Sequence, residues 1–336
     1  MKTELKSAPQ VGRREAVVAL GCLLAATSFG SRAQLPSGKP YKLIVGFPAG
    51  GSTDVMARVL ADALRGQLAG PVLIENRPGA GGRLAVESMR TADIDGTAIL
   101  ITPFHMITMY PHMYRKVSYD PQRDLLPIGQ VASMPMLIAV GPAVPSAVKT
   151  ISDYLQWVKA APGRNSFASP GPGTLNHFIG VLLSKQSGVE LLHVPYKGDA
   201  PAVQDLLGGH IPLSMNVPSA LLPHLASGRV RILATTGAER AADLPNIPTL
   251  AESGFPKIKE GGWFGAFVPA RTPPAVVAKL ESELRQALGN QALKEAFAKQ
   301  GIYPEFVSSS DFGKQIARES STWAAVVKET GFTLDE

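Results

Sequence analysis

The sequence predicts an α/β protein built as two lobes, and three observations predict it. Behind a short apolar leader, brief apolar runs alternate with Gly-rich turns and amphipathic helical segments, the pattern of parallel strands covered by helices. The alternation runs through residues 42–102 and again through 151–234. Two longer apolar stretches, Met136–Val140 and Trp263–Val268, flank the second round and are candidate crossovers between the lobes. They set lobe 1 at 34–135 and 250–336 and lobe 2 at 136–249, each a mainly parallel sheet flanked by helices, with a cleft between them. About 300 residues behind the leader are enough for two cores.

The leader comes first. Arg13-Arg14 precede an apolar run from Ala16 to Phe29, which ends in Ser31-Arg32-Ala33. That run is too short to span a bilayer, and small residues at its end suit cleavage after Ala33, so 1–33 reads as a signal peptide. Export by either the Sec or the twin-arginine route delivers the chain to the periplasm. The one cysteine, Cys22, lies inside this segment and leaves with it, so the mature chain has no thiol for a disulfide, a metal site or a nucleophile. Formal charge falls from +6 to +3, because the leader carries five Lys/Arg and two Asp/Glu. No basic run with interleaved aromatics remains, which argues against nucleic acid as a partner.

The elements follow in order. Lys42–Phe47 is a buried strand, and Pro48–Asp54 turns into a helix with Val55, Val59, Leu60 and Leu64 on one face. Val72–Asn76 is a strand, Leu84–Thr91 a helix, and Ala98–Thr102 a strand. In the second round, helices at Ile151–Ala160, Thr174–Gln186 and Ala200–Leu207 separate strands at Asn165–Ala168, Leu191–Val194, Leu213–Met215 and Arg231–Ala234. The C-terminal part is helical. Pro274 opens one helix, and Ser310-Asp311 cap a last one bearing Phe312, Ile316, Trp323 and Val327.

Two loops invite chemistry. Gly50-Gly51-Ser52-Thr53 and Ser169-Pro170-Gly171-Pro172-Gly173-Thr174 each follow a strand and deliver the chain to a helix start. The first turn of a helix leaves N–H groups unpaired and partly positive, which favours an anion. One such loop from each lobe could hold a carboxylate across a cleft, although either alone is also an ordinary capped helix. Asp54 opposes the helix dipole or meets the ligand. Asp199, at another strand-to-helix junction, is a helix N-cap or a partner for a ligand ammonium or hydroxyl. Thr102 and His105 stand at a strand end where a pocket would open, with a plain loop histidine as the competing reading.

Enzyme readings have little to stand on. Gly-x-Gly-x-x-Gly, Gly-Lys-Ser/Thr and Gly-x-Ser-x-Gly patterns are absent, and the histidines show no close ligand spacing. No cofactor or metal site is indicated. A secreted hydrolase or transferase using Ser52 or Ser169 as nucleophile is the alternative from another class, and a sensor for a signalling system is a third.

The residues Val45–Asp54 and Glu75–Gly82, then Tyr119-Asp120-Pro121, Val194–Gly198, Leu206–Gly209, Pro218-Ser219-Ala220 and Trp263-Phe264-Gly265, closely resemble the Bug receptors, the solute-binding components of tripartite tricarboxylate transporters. The resemblance implies a type II periplasmic-binding-protein fold hinged by two crossover strands. It implies a monomer that closes on a small carboxylate: a di- or tricarboxylate, an acidic amino acid or an aromatic acid. The implied partners are one large and one small integral membrane subunit, driven by an ion gradient. Carried onto this chain, the ligand contacts are Phe47, Ala49, Gly51, Ser52, Thr53 and Asp54 from the first loop, and Ser169, Gly173, Thr174 and His177 from the second. The chain departs from the family pattern at Pro170 and Pro172, each of which removes an N–H donor, and at Asp199.

Overall fold

The computed structural model describes residues 35–334 apart from 161, 162, 238, 242, 259 and 260. The leader, its cut after Ala33 and Cys22 lie outside the described residues.

The first apolar run forms β1 (Tyr41–Val45), which leads through Pro48–Gly51 into α1 (Ser52–Leu64). Then come β2 (Val72–Asn76), α2 (Arg83–Ser88) and β3 (Ala98–Pro103). A wide π turn at His105–Met109 runs into the one-turn helix α3 (Tyr110–Met113), followed by α4 (Pro121–Asp124) and β4 (Leu125–Met134). The sequence reading left β4 out, because Pro127, Gly129 and Gln130 break the apolar pattern of a strand. It pairs nonetheless, with register shifts that absorb the irregularity. Gly129 is required there, since a Cβ would lie 2.7 Å from the Val307 carbonyl oxygen of the neighbouring strand.

After β4 the chain enters the second lobe as β5 (Leu137–Val140). It continues through α5 (Ile151–Ala160), β6 (Ser166–Ser169), α6 (Leu175–Ser187), β7 (Leu192–Pro195) and α7 (Asp199–Gly208). The lobe closes with β8 (Leu213–Asn216), α8 (Pro218–Leu225) and β9 (Arg231–Thr235). The chain then returns as β10 (Gly262–Pro269), α9 (Pro274–Leu288), α10 (Gln291–Ala298), β11 (Tyr303–Ser308) and α11 (Ser309–Thr330). The last helix begins earlier than expected. Its cap is Ser308, whose hydroxyl accepts from the Asp311 N–H at 3.3 Å, and not Ser310.

Two open sheets result, in the orders β11-β4-β10-β3-β1-β2 and β7-β6-β8-β5-β9. In the first, β1, β2, β3 and β4 run one way against β10 and β11. In the second, only β5 is reversed. The chain crosses between them twice, at Pro135-Met136 and through 236–261. The crossings are clipped together, with the Met136 N–H donating to Thr236 Oγ1 and the Thr236 N–H to the Met136 carbonyl, both at 2.9 Å.

The helix α11 adds a third tie. Near its start, Phe312 packs edge-on against Trp263 of the first lobe, with ring centroids 4.8 Å apart. Near its end, Trp323 meets Phe178 of α6 at 5.8 Å, and Phe332 beyond the helix packs on the same Phe178. Lys185 and Glu329 form an ion pair across this junction. The main apolar core is therefore continuous from one lobe to the other.

Phe178→Ala removes the ring that joins α6 to the C-terminal helix. Cavity formation at so buried a site is expected to destabilise the fold by about 3–5 kcal/mol, which a chemical-denaturation midpoint with unchanged m-value checks.

Candidate functional site

The loop after β1 is built around Asp54, which is almost fully buried. One carboxylate oxygen accepts from the Gly50 N–H and Arg58 Nε, each at 2.8 Å. The other accepts from Arg58 Nη2 at 3.1 Å and Asn76 Nδ2 at 2.8 Å. Asn76 Nδ2 also donates to the Phe47 carbonyl at 3.0 Å, so strand β2 and helix α1 together fix both ends of the loop. Burial pushes the Asp54 pKa up, but the hydrogen bonds from Arg58, Gly50 and Asn76 outweigh it and hold the group at about 2. The N-cap of α1 is Gly51, which offers no side-chain cap, so the amides of the first turn are not consumed by one.

The loop after β6 is organised differently. Thr174 caps α6: its hydroxyl accepts from the His177 N–H at 3.2 Å and donates to the Gly171 carbonyl at 2.8 Å. His177 Nδ1 accepts from the Gly173 N–H at 3.2 Å. The His177 ring stacks on His193 with centroids 3.9 Å apart, and His193 Nε2 lies 2.7 Å from Ser169 Oγ. Two imidazoles in such contact stay neutral. Burial and the neighbouring His177 lower His193 to about 4, and burial lowers His177 as well. Gly173 has φ +74°, and a Cβ there would sit 2.6 Å from Met113 Cε of the first lobe and 2.7 Å from Phe332. Only glycine fits this seam.

Both loops border one cavity of about 620 Å³ between the lobes. Phe47, Pro48, Gly51 and Thr53 line it from one side, and Pro172, Gly173, Thr174, Leu175 and Asn176 from the other. Phe104, His105, Tyr110, Tyr114 and Trp263 form the walls, with Met134 and Met136 of the crossing and Val217, Phe264 and Leu334 completing them. Among the described residues, no lining side chain carries a fixed charge. His105 sits against Phe104 and Tyr110, with centroids 5.2 and 5.1 Å away, and burial lowers it to about 4, so it is neutral at pH 7. Burial likewise pushes Tyr110 up to about 12. The positive potential available to an anion comes from the starts of α1 and α6, whose first-turn amides have no intrahelical acceptor.

Of the residues singled out from the sequence, Phe47, Gly51, Thr53, His105, Gly173 and Thr174 meet at this cavity. Ala49, Asp54, Thr102, Ser169, His177 and Asp199 do not line it. Ala49 is exposed in its loop. Asp54 and His177 hold the two loops from behind. Thr102 is buried in β3 and its hydroxyl donates to Met106 Sδ at 3.0 Å. Ser169 is fully buried, with its hydroxyl donating to the Gly171 carbonyl at 2.9 Å. Ser52 stands at the start of α1. Asp199 is not the cap of α7: Gly198 holds that position, and the Asp199 carboxylate instead accepts from Asn216 Nδ2 at 2.9 Å. The sequence reading missed Tyr110, Tyr114, Asn176 and Trp263. The Tyr110–Tyr114 spacing of one helical turn was the available signal for the first two.

The sequence matches the model of the tripartite tricarboxylate transporter family receptor over residues 56–332. It is 34% identical over 297 residues to the protein BugT of Bordetella pertussis, spanning 88% of this chain and 90% of that one. Among solved structures it resembles the periplasmic binding protein BugD, at 32% identity and a TM-score of 0.68, covering 88% of this chain and 99% of that one. An R. palustris protein solved with adipate is 30% identical, with a TM-score of 0.71 over 88% of this chain and 98% of that one. MatC from Rhodopseudomonas palustris, solved with bound malate, is 27% identical with a TM-score of 0.67, covering 86% of this chain and 98% of that one.

The titrating groups behind the loops predict a two-step acid profile. His105 and His193 have folded pKa values of about 4 against 6.5 unfolded, so the unfolded chain binds protons first and stability declines as pH falls from 6.5 to 4. Asp54, lowered from 3.8 to about 2, contributes stability above pH 3.8 that is lost towards pH 2. Calorimetric melting temperatures are expected to be flat above about pH 7 and to fall in these two steps. His193→Phe, which keeps a ring on His177, should shrink the first step and leave the His105 contribution.

Proposed function

Because the chain belongs to the tripartite tricarboxylate transporter receptor family, we propose that it is a periplasmic, non-catalytic solute-binding receptor that closes its lobes on a small carboxylate. It works as a monomer and delivers the ligand to a transporter made of one large and one small integral membrane subunit. The observation that carries this reading is the meeting of two helix starts, one from each lobe, at one cavity whose lining carries no charged side chain among the described residues. Half-charges of about +0.5 at each helix start offset one carboxylate without the desolvation of an arginine. The solved relatives bound to adipate and malate support the ligand class. The apolar leader supports export, and no helix among the described residues is long and apolar enough to cross a membrane.

The two threonines at the cavity have separable roles in this reading. Thr53 is buried against the cavity, and its hydroxyl has no protein partner among the described residues. Thr53→Val is expected to weaken carboxylate binding by about 1.5–3 kcal/mol, the worth of a hydrogen bond to a charged group, with stability nearly unchanged. Thr174→Val removes a cap instead, and should cost about 1 kcal/mol of stability besides any loss of affinity. Calorimetric titration of the mature protein against a carboxylate panel, with NMR of the same mixtures for turnover, tests the reading. Saturable binding with every acid recovered intact is the expected result, and conversion of any acid would overturn the non-catalytic assignment.

A further inference from the structure

Resting on that carboxylate-receptor reading, we infer that residues 331–334, after the last helix, belong to the binding site: Leu334 sets the length of acid that the cavity accepts, and Phe332 is a positioning residue for the second loop. Gly331, the C-cap of α11, has φ +63° and turns the chain out of the helix. The next residues alternate, with Gly331 and Thr333 exposed and Phe332 and Leu334 partly buried, as in an extended segment with one face covered. That segment is fastened. The Leu334 N–H donates to the Met113 carbonyl at 2.8 Å, and Leu334 bridges Tyr114 in parallel. Helix α3, which carries Met113, is tied to α11 in turn, with His112 Nε2 and Ser320 Oγ 2.7 Å apart.

The two covered side chains face different things. Leu334 is a wall of the cavity beside Tyr114, and its aliphatic side chain reads only the bulk of what it meets. With one carboxylate fixed at the helix starts, the body of the acid extends into a space of set size. A methylene too many meets the wall, and one too few leaves contact unmade. Phe332 does not line the cavity and turns to the other lobe. Its ring lies 5.7 Å from His177 and 5.8 Å from Phe178, edge-on to both. A Cβ on Gly173 would sit 2.7 Å from Phe332 Cε1, so ring and loop are in contact. The Gly173 N–H donates to His177 Nδ1, so Phe332 touches both partners of the hydrogen bond that shapes the approach to α6. It braces the second loop from outside the cavity.

The test is a calorimetric titration of the mature protein with three series of acids, each lengthened one methylene at a time: straight-chain monocarboxylates, α,ω-dicarboxylates and phenyl-terminated monocarboxylates. Leu334→Ala is expected to move the tightest-binding member of a series to a longer acid, changing the ratio between neighbouring members at least about tenfold. Leu334→Phe should move it to a shorter one. Leu334 is only partly buried, and the melting temperatures of both variants are expected to stay close to the parent's. Phe332→Ala is expected to weaken every member of a series by one common factor, several-fold, without moving the preferred length. Phe332→Leu, which keeps an apolar brace, should recover most of that loss. The parent's length profile in both Leu334 variants overturns the role of Leu334. Parent affinity in Phe332→Ala, or a shifted length preference there, overturns that of Phe332. Either result leaves the receptor reading intact, whereas a parent protein that binds no acid of any series overturns both.

Discussion

The two hydrogen bonds between Met136 and Thr236 fix the relation of everything else in the molecule. Each crossing donates once and accepts once, in a region shielded from water, so the two strands that join the lobes act as one ribbon. The Met136 side chain reaches from this ribbon into the cavity, and Gly262 at the start of β10 lies close to both Met136 and Phe104. The floor of the cavity and the joint between the lobes are thus the same few residues. A change in the angle between the lobes is a change in cavity shape. The helix α11 limits that change from the other side, since its two ends are packed on different lobes.

The loops on either side of the cavity solve one electrostatic problem in two ways. In the first lobe a buried carboxylate, Asp54, gathers four donors and locks the loop through ionic hydrogen bonds. In the second lobe no ion is used. A hydroxyl cap, a backbone N–H to imidazole contact and two stacked neutral rings do the same work. Pro170 and Pro172 withhold N–H groups from that loop, and the amides left at the start of α6 are the ones its helix cannot use itself. The positive character of the site is carried by backbone, which has no pKa to titrate and no flexible side chain to order.

Much of this was legible in the sequence wherever period and turn chemistry agreed. The runs at 42–47, 72–76 and 98–102 became β1, β2 and β3, and the Gly-rich loops did become helix starts. Legibility ended where a residue's role depends on a distant partner. Asp54 and Asp199 both sit in a first helical turn and obey the same local rule, yet their partners Asn76 and Asn216 come from other strands. The strand β4 was hidden by Pro127 and Gly129, whose cost is absorbed by bulges and by the close approach of β11. Tyr110 and Tyr114 reach the cavity just after a π turn that the local sequence pattern does not announce.

The order of the strands along the chain has a consequence for how the protein is made. All five strands of the second sheet lie between residues 137 and 235, whereas the first sheet waits for β10 and β11. The strand β4 pairs only with those two late arrivals, so in a chain emerging from its N-terminus it has no neighbour until the residues beyond 262 are available. An apolar strand left open for that interval is a template for pairing with another copy. The lobe begun first is therefore finished last, and its unpaired edge marks where a chaperone or a delay in translocation has most to protect.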